Sequence, residues 1–123
     1  MSAVILVVDD EHDLATTCER LLKRGGWLVT TVGTRGAALD TLTASAPPAL
    51  AIVDRYLPDG DGLDVVRAAR ARGARVIVIS GHTSSANREQ TLAEGAARFL
   101  GKPFTARQFL DTVRAVAGEP PRA

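Results

Sequence analysis

Several aliphatic runs of the sequence end in side chains that could bind a cation and a charged oxygen group. These are Asp9 and Asp10 after the first run, Asp54 and Ser80 after two later ones, and Lys102 just past the last. Carboxylates suit a hard divalent ion such as Mg²⁺, which keeps water ligands and is often completed by phosphate oxygens. A lysine and a hydroxyl can hold the other oxygens of a phosphoryl group. A carboxylate so placed can attack phosphorus and form an acyl phosphate.

Taken alone, the Asp9-Asp10 pair supports two interpretations equally. Adjacent carboxylates repel each other unless a positive charge lies between them, which indicates a cation site. Acidic residues are also common in the first turn of a helix, where they favour the helix dipole. The choice depends on what the fold brings near this pair.

Five short β-rich runs alternate with five helical patterns. The predicted strands are Val4–Val8, Leu28–Val32, Leu50–Val53, Val76–Ile79 and Arg98–Leu100. The predicted helices are Asp13–Lys23, Arg35–Ala44, Leu63–Arg72, Ala86–Glu94 and Ala106–Val116. This alternation predicts an α/β fold, a doubly wound parallel sheet with helices on both faces. The first, third and fourth strands are almost wholly aliphatic and the second is more polar, so we predict the order 2-1-3-4-5 with the second strand at an edge.

In such a sheet the carboxyl ends of all strands meet at one edge, and a crevice opens between the first and third strands. The predicted order therefore brings Asp9, Asp10, Asp54, Ser80 and Lys102 together. Each residue alone is a weak signal, but their joint placement favours a site for a cation and a phosphoryl group.

The length predicts a single domain, and the composition excludes several other classes of protein. A chain of 123 residues forms one domain. We place this domain at residues 1–117, with 118–123 as a C-terminal tail or the start of a linker. The net charge of +1 provides no general field for nucleic acid or an anionic membrane. No apolar stretch approaches the roughly 20 residues that span a bilayer. Cys18 is the single cysteine and cannot form an internal disulfide, so we expect a core thiol and a cytoplasmic protein.

Four segments, in order and spacing, resemble the receiver domain of response regulators, similar to the single-domain chemotaxis regulator. They are ILVVDDE (Ile5–Glu11), D-x-x-L-P-D-G-D-G-L (Asp54–Leu63), VIVISG (Val76–Gly81) and GAARFLGKPF (Gly95–Phe104). The resemblance covers essentially residues 3 to 117 and implies a (βα)5 flavodoxin-like fold. It also implies a two-component (His-Asp) phosphorelay, in which a sensor histidine kinase or a histidine phosphotransfer protein supplies the phosphoryl group.

The resemblance implies a metal site around the phosphoacceptor, Asp54. Asp10 would bind Mg²⁺ directly and Asp9 largely through water. Asp54 itself and the backbone carbonyl of Tyr56 would complete the shell. Lys102 would pair with the phosphoryl oxygens.

A switch is implied as well. Ser80 would move toward the phosphoryl group, and Phe99 would follow as the aromatic residue that reshapes the surface of the last two helices and the strand between them. The bond between Lys102 and Pro103 is expected to be cis.

The resemblance implies a signalling protein rather than an enzyme, since it would catalyse only its own phosphorylation and dephosphorylation. Its partners would be the phosphodonor and a downstream effector that the sequence does not identify. We expect no direct nucleic-acid binding by this domain and no membrane contact, and a homodimer that forms on phosphorylation is compatible with the resemblance.

Two other functions are open to a chain of this pattern. One is a phosphorylation-independent receiver that acts as a docking or dimerisation module, although all the acceptor residues are present. The other is a Mg²⁺-dependent phosphatase with an aspartyl nucleophile. Such enzymes carry a second Asp two residues after the first, and this chain has Tyr56 there.

Three positions depart from the common receiver pattern. Arg55 stands where an apolar residue is common, and we expect its charged end to extend into solvent, with contact to an acidic partner as the alternative. Tyr56, two residues after the acceptor, is predicted to shield an acyl phosphate from water. His82 could orient a water or hold an anion, and an ordinary exposed loop histidine is an equal alternative.

Overall fold

The computed structural model describes residues 2–121. The strands are β1 (Val4–Val8), β2 (Leu28–Val32), β3 (Leu50–Asp54), β4 (Tyr56–Leu57), β5 (Gly60–Asp61), β6 (Arg75–Ser80) and β7 (Arg98–Gly101). The helices are α1 (His12–Arg24), α2 (Arg35–Ala44), α3 (Gly62–Ala71), α4 (Ser85–Ala93) and α5 (Ala106–Ala117). Each of the ten predicted elements is present, and no predicted bound is off by more than one residue.

Five parallel strands form the main sheet in the order β2-β1-β3-β6-β7. This is the predicted 2-1-3-4-5 order, because β4 and β5 form a separate hairpin. Every residue of β3 is buried, as the aliphatic runs predicted for central strands. The more polar β2 lies at an edge and leaves Leu28 63% exposed.

The sheet separates two hydrophobic clusters, one on each face. Helices α1 and α5 cover one face, with Leu22 and Phe109 among the buried residues. Helices α2 and α3 cover the other face, with Leu42 and Val66 among theirs. Cys18 is buried in the first cluster, as predicted, and burial raises the pKa of its thiol to about 11. This neutral thiol packs as an apolar group.

The last helix begins and ends where its local sequence indicates. The hydroxyl of Thr105 accepts a hydrogen bond from the backbone N–H of Gln108, whose side chain accepts one from Thr105 N–H in return. This reciprocal pair is a capping box. Helix α5 ends at Ala117, where the predicted domain ends, and the domain boundary stays a prediction. The last two residues of the predicted tail, 122 and 123, lie outside the described residues.

The hairpin of β4 and β5 is an element that the sequence did not predict. The carboxylate of Asp59 in its loop accepts hydrogen bonds from the backbone N–H groups of Arg35 and Gly36, at 2.7 and 2.9 Å. The first N–H groups of a helix have no acceptor within the helix, and Asp59 supplies one for these two at the start of α2. Arg35 Nε also lies 2.8 Å from Asp64 Oδ2 in α3. The hairpin that follows β3 is thus bound to the start of α2, which packs on the same face of the sheet as α3.

In the part of the chain that the structure describes, no helix is long and apolar enough to cross a bilayer.

Candidate functional site

Lys102 lies at the centre of a group of carboxylates at the carboxyl edge of the sheet. Its Nζ is 2.6 Å from Glu11 Oε1, 3.0 Å from Asp54 Oδ2 and 3.3 Å from Asp9 Oδ2. Its backbone N–H donates to Ser80 O at 2.8 Å, which continues the pairing of β7 with β6 beyond the last strand residue. The peptide bond after Lys102 is cis, as predicted. The sheet thus brings this ammonium to the carboxylate of Asp54, 48 positions earlier in the chain.

Asp54 is the last residue of β3 and is buried. Its Oδ1 accepts a hydrogen bond from Tyr56 N–H at 3.2 Å, and Oδ2 faces Lys102. The first residue of α3, Gly62, packs directly behind it and donates its N–H to Arg55 O at 2.7 Å. A Cβ on Gly62 would clash with the carbonyl oxygen of Asp54. The close approach of the start of α3 to the end of β3 therefore requires glycine here.

Three carboxylates among the described residues form one acidic cluster, which we define as Asp9, Glu11 and Asp54. One oxygen from each lies within 4.8 Å of the others. Asp9 Oδ1 accepts a hydrogen bond from Glu11 N–H at 2.9 Å, whereas its buried Oδ2 accepts no hydrogen bond and has only the ion pair with Lys102, at 3.3 Å. Charged oxygens with spare acceptor capacity fit a hard divalent cation, so these residues could hold one.

The acidic cluster differs from the predicted metal shell in one member. Asp10 is exposed and its carboxylate is not part of the cluster, so its role as a direct ligand stays a prediction. The same holds for the backbone carbonyl of Tyr56. Glu11 is the residue that sequence reasoning missed. Its place directly after the Asp9-Asp10 pair was the available signal, but we assigned that acid no role.

The pKa values of the cluster reflect its burial and its central cation. Burial raises the pKa of Asp9 to about 6, against the hydrogen bond from Glu11 N–H and the charge of Lys102, which lower it. Burial alone would lower the pKa of Lys102, but its hydrogen bonds to Glu11 and Asp54 hold that pKa above its ordinary value. The ammonium therefore remains charged near neutral pH and partly balances the carboxylates around it.

The two predicted switch residues are both buried. The hydroxyl of Ser80, the last residue of β6, accepts a hydrogen bond from His82 N–H at 3.0 Å. Phe99 in β7 packs in the cluster on the α2–α3 face. The guanidinium of Arg88, in α4, lies over its ring with Cζ 4.9 Å from the ring centre. In this structure Phe99 therefore points inward.

The expectation that Arg55 extends into solvent is wrong. Arg55 is 5% exposed, and its guanidinium is held by Asp61 of the hairpin and by two side chains of α4, Asn87 and Gln90. Its charged end contacts an acid, as in the alternative interpretation, but that acid is Asp61 of the same chain. The sequence offered only the local pattern of β3, whereas the partners come from two later elements.

The ring of Tyr56 is 48% exposed and meets the ring of His82 edge to face, with centres 4.7 Å apart. The guanidinium of Arg55 lies 5.2 Å from the centre of the Tyr56 ring. Tyr56 and His82, two of the positions that depart from the common pattern, are thus in contact with each other. Such pairs favour offset or edge-to-face geometry.

Parallel strands in this order, with a buried aspartate, a lysine and acidic neighbours at the carboxyl edge, define a class of protein. The chain belongs to the response regulator receiver domain family, whose family model matches residues 5–114. This confirms the resemblance and the fold class predicted from the sequence.

Named relatives agree with this family. The chain is 37% identical over 113 residues to the transcriptional regulatory protein KdpE of Mycobacterium tuberculosis, a match that covers 91% of this chain and 50% of that protein. The chain spans about half the length of the curated relatives it matches.

Two solved structures are similar along most of the chain. A CheY-like response regulator receiver domain protein from Methanospirillum hungatei gives a TM-score of 0.85 at 26% identity and covers 94% of this chain and 93% of that one. A response regulator from Burkholderia pseudomallei gives a TM-score of 0.81 at 29% identity and covers 92% and 65%. The latter contains a phosphorylated aspartic acid, a calcium ion and citrate.

Proposed function

We propose that this chain accepts a phosphoryl group on Asp54 in a Mg²⁺-dependent reaction, from a phosphohistidine on a sensor histidine kinase or histidine phosphotransfer protein. The observation that carries the proposal is the contact of Lys102 Nζ with Asp54 Oδ2 at 3.0 Å, inside the acidic cluster at the carboxyl edge of the sheet. The phosphorylated aspartic acid of the Burkholderia pseudomallei regulator supports it by analogy.

In the transfer, a carboxylate oxygen of Asp54 forms a bond to phosphorus while the bond from phosphorus to the donor's imidazole nitrogen breaks. The released imidazole takes a proton from solvent. Lys102 exchanges its contact with Asp54 for one with a phosphoryl oxygen, and so keeps an anion beside it throughout. A bound Mg²⁺, held by Asp9, Asp10, Asp54 and the Tyr56 carbonyl, would offset the negative charge that meets there.

The downstream consequence would be a shift between two packings rather than chemistry on another molecule. Ser80 would turn toward the phosphoryl group and Phe99 would follow, which changes the surface around α4, β7 and α5. The chain would thus act as a cytoplasmic signalling protein that catalyses only its own phosphorylation and dephosphorylation. An effector, or a second copy after phosphorylation, would recognise that surface, and neither a membrane nor a nucleic acid would contact this domain directly.

Mass spectrometry with acetyl phosphate and Mg²⁺ tests this proposal. The wild-type chain should gain the mass of one phosphoryl group, and the gain should disappear with a chelator or in Asp54→Ala. The matched control is Asp40→Ala, an exposed aspartate of α2 that should leave the gain unchanged. A wild-type chain that gains no phosphoryl group would favour the docking module instead. An equal gain in Asp54→Ala would place the acceptor elsewhere.

Tyr56 is expected to slow hydrolysis of the acyl phosphate, because it lies two residues after Asp54, donates its backbone N–H to Asp54 Oδ1 and carries a large ring in contact with His82. We expect Tyr56→Asn to lose the phosphoryl group faster, on the order of tenfold, since a polar amide admits and orients water there. The decay rate of purified phosphorylated protein measures this effect. Tyr56→Phe keeps the ring and should decay like the wild type. Equal decay of Tyr56→Asn and the wild type would show that the ring shields nothing.

A further inference from the structure

Helix α4 is held to the sheet by polar contacts instead of apolar ones. Neither hydrophobic cluster contains a residue of α4, whereas each of the other four helices contributes at least two. The two buried residues of α4 are Asn87 and Thr91, and Leu92 is left 41% exposed. The Thr91 hydroxyl is buried without a hydrogen-bond partner. Burial of apolar surface therefore does little to fix this helix.

In place of apolar packing, hydrogen bonds from the side chain of Arg55 hold α4. Its Nε and NH2 lie 2.8 and 3.2 Å from the two carboxylate oxygens of Asp61, which fixes the plane of the guanidinium. NH1 donates to Asn87 Oδ1, and NH2 donates to Gln90 Oε1 at 3.2 Å. Hydrogen bonds to a charged group are stronger than those between neutral groups. The side chain of Arg55, the residue directly after β3, thus binds two successive turns of α4.

Through Asn87, the same contacts extend to the loop that follows Ser80, the residue of the proposed switch hydroxyl. Asn87 donates its Nδ2 hydrogen to His82 O, and His82 N–H donates to Ser80 Oγ. The path runs from Arg55, the residue after the acceptor, through Asn87 to the segment 80–82. Each step is a hydrogen bond between named atoms, and the amide of Asn87 serves both sides, as acceptor for Arg55 and as donor to the loop.

We propose that Arg55 is a positioning residue, which fixes α4 and, through Asn87, holds the loop after Ser80 in place for phosphoryl transfer to Asp54. The first part, the fixing of α4, stands on the contacts of the unphosphorylated chain. The second part rests on the function proposed above. Arg55 acts through Asn87 and does not itself touch the transferred group.

Amide hydrogen exchange of the unphosphorylated chain tests the first part. In Arg55→Met, the amides of α4 should exchange about tenfold faster or more, while those of α5 and β3 keep their wild-type rates. The matched control is Arg67→Met. It removes the contact of an exposed arginine with Glu94, at the end of α4, and should leave the exchange of α4 unchanged. Equal rates for α4 in Arg55→Met and the wild type would overturn the proposal, as would an equal increase in both variants.

A second variant covers the case in which Arg55→Met fails to fold. Arg55→Lys keeps a positive charge for Asp61, but one ammonium cannot also reach both side chains of α4, so α4 should again exchange faster than in the wild type. Unchanged exchange in Arg55→Lys would count against the proposal in the same way. This arm requires no phosphorylation, so its result stands even if Asp54 takes no phosphoryl group.

Asn87→Asp separates the helix from the loop. An aspartate still accepts from Arg55 but cannot donate to His82 O, so α4 should exchange as in the wild type while the chain takes phosphate from acetyl phosphate about tenfold more slowly. Mg²⁺ affinity, measured by calorimetry, should be unchanged, because the acidic cluster is untouched. If Asn87→Asp were phosphorylated at the same rate as the wild type, the second part of the proposal would be overturned. A wild-type chain that is never phosphorylated would instead refute the proposed function and leave the exchange results intact.

Discussion

Lys102→Met is expected to lower the free energy of unfolding by about 3–5 kcal/mol in metal-free buffer, because it leaves buried carboxylates without their cation. The Lys102 side chain is 13% exposed and faces the three carboxylates of the acidic cluster. Asp9 and Asp54 are buried, so water screens the repulsion between their carboxylates only weakly. Small domains have only about 5–15 kcal/mol of stability in total, so the change should be large in a urea titration.

Lys23→Met is the matched control, because Lys23 is the one other lysine of the sequence. It pairs with Glu19 across one turn of α1 at 2.7 Å and is 57% exposed, so its loss should change stability by less than about 1 kcal/mol. Added Mg²⁺ should restore much of the stability of Lys102→Met by binding among the same carboxylates. If Lys102→Met were as stable as Lys23→Met without metal, the carboxylates would not depend on the ammonium.

Asp10→Asn is expected to reduce Mg²⁺ affinity by about a hundredfold or more, since it would remove a direct ligand and a full negative charge. The fold should be unaffected or slightly more stable, because Asp10 is exposed and its repulsion with Asp9 disappears. Calorimetric titration with Mg²⁺ measures the first effect, and urea unfolding without metal measures the second.

Two comparisons make the Asp10 result decisive. Asp13→Asn removes another acidic residue of the same segment, in the first turn of α1 and outside the acidic cluster, and should bind Mg²⁺ like the wild type. Glu11→Gln alters a member of the cluster that the resemblance does not make a ligand. Normal affinity in Asp10→Asn together with weak binding in Glu11→Gln would mean that the cation is held by the cluster as it stands. Asp10 would then serve only the start of the helix.

The fold was predictable because its signals are local. Aliphatic runs such as Val4–Val8 and the capping residue Thr105 act within a few positions of the chain, so the elements could be assigned from short windows. The hairpin was not predictable in this way. Its strands, Tyr56–Leu57 and Gly60–Asp61, have two residues each, too few to show a period.

The site was predictable only as far as backbone topology positions it. Strand order alone brings Asp9, Asp54 and Lys102 to one edge, and the structure confirms that these three are in contact. The contact of Glu11 with Lys102 was not predicted, because it depends on how far one side chain reaches toward a lysine 91 positions away. The burial of Arg55 was not predicted for a similar reason, since an arginine is buried only where other elements supply acceptors for its hydrogen bonds.

Substitution at Gly62 differs in its effect from substitution at the charged residues of the site. A conservative exchange exists for an acid, a base or a hydroxyl, and a functional group can be partly retained. Every codon change that replaces glycine adds a Cβ, and here that atom would occupy the space of the Asp54 carbonyl oxygen. Every missense change at Gly62 would therefore displace the backbone at the end of β3 or at the start of α3.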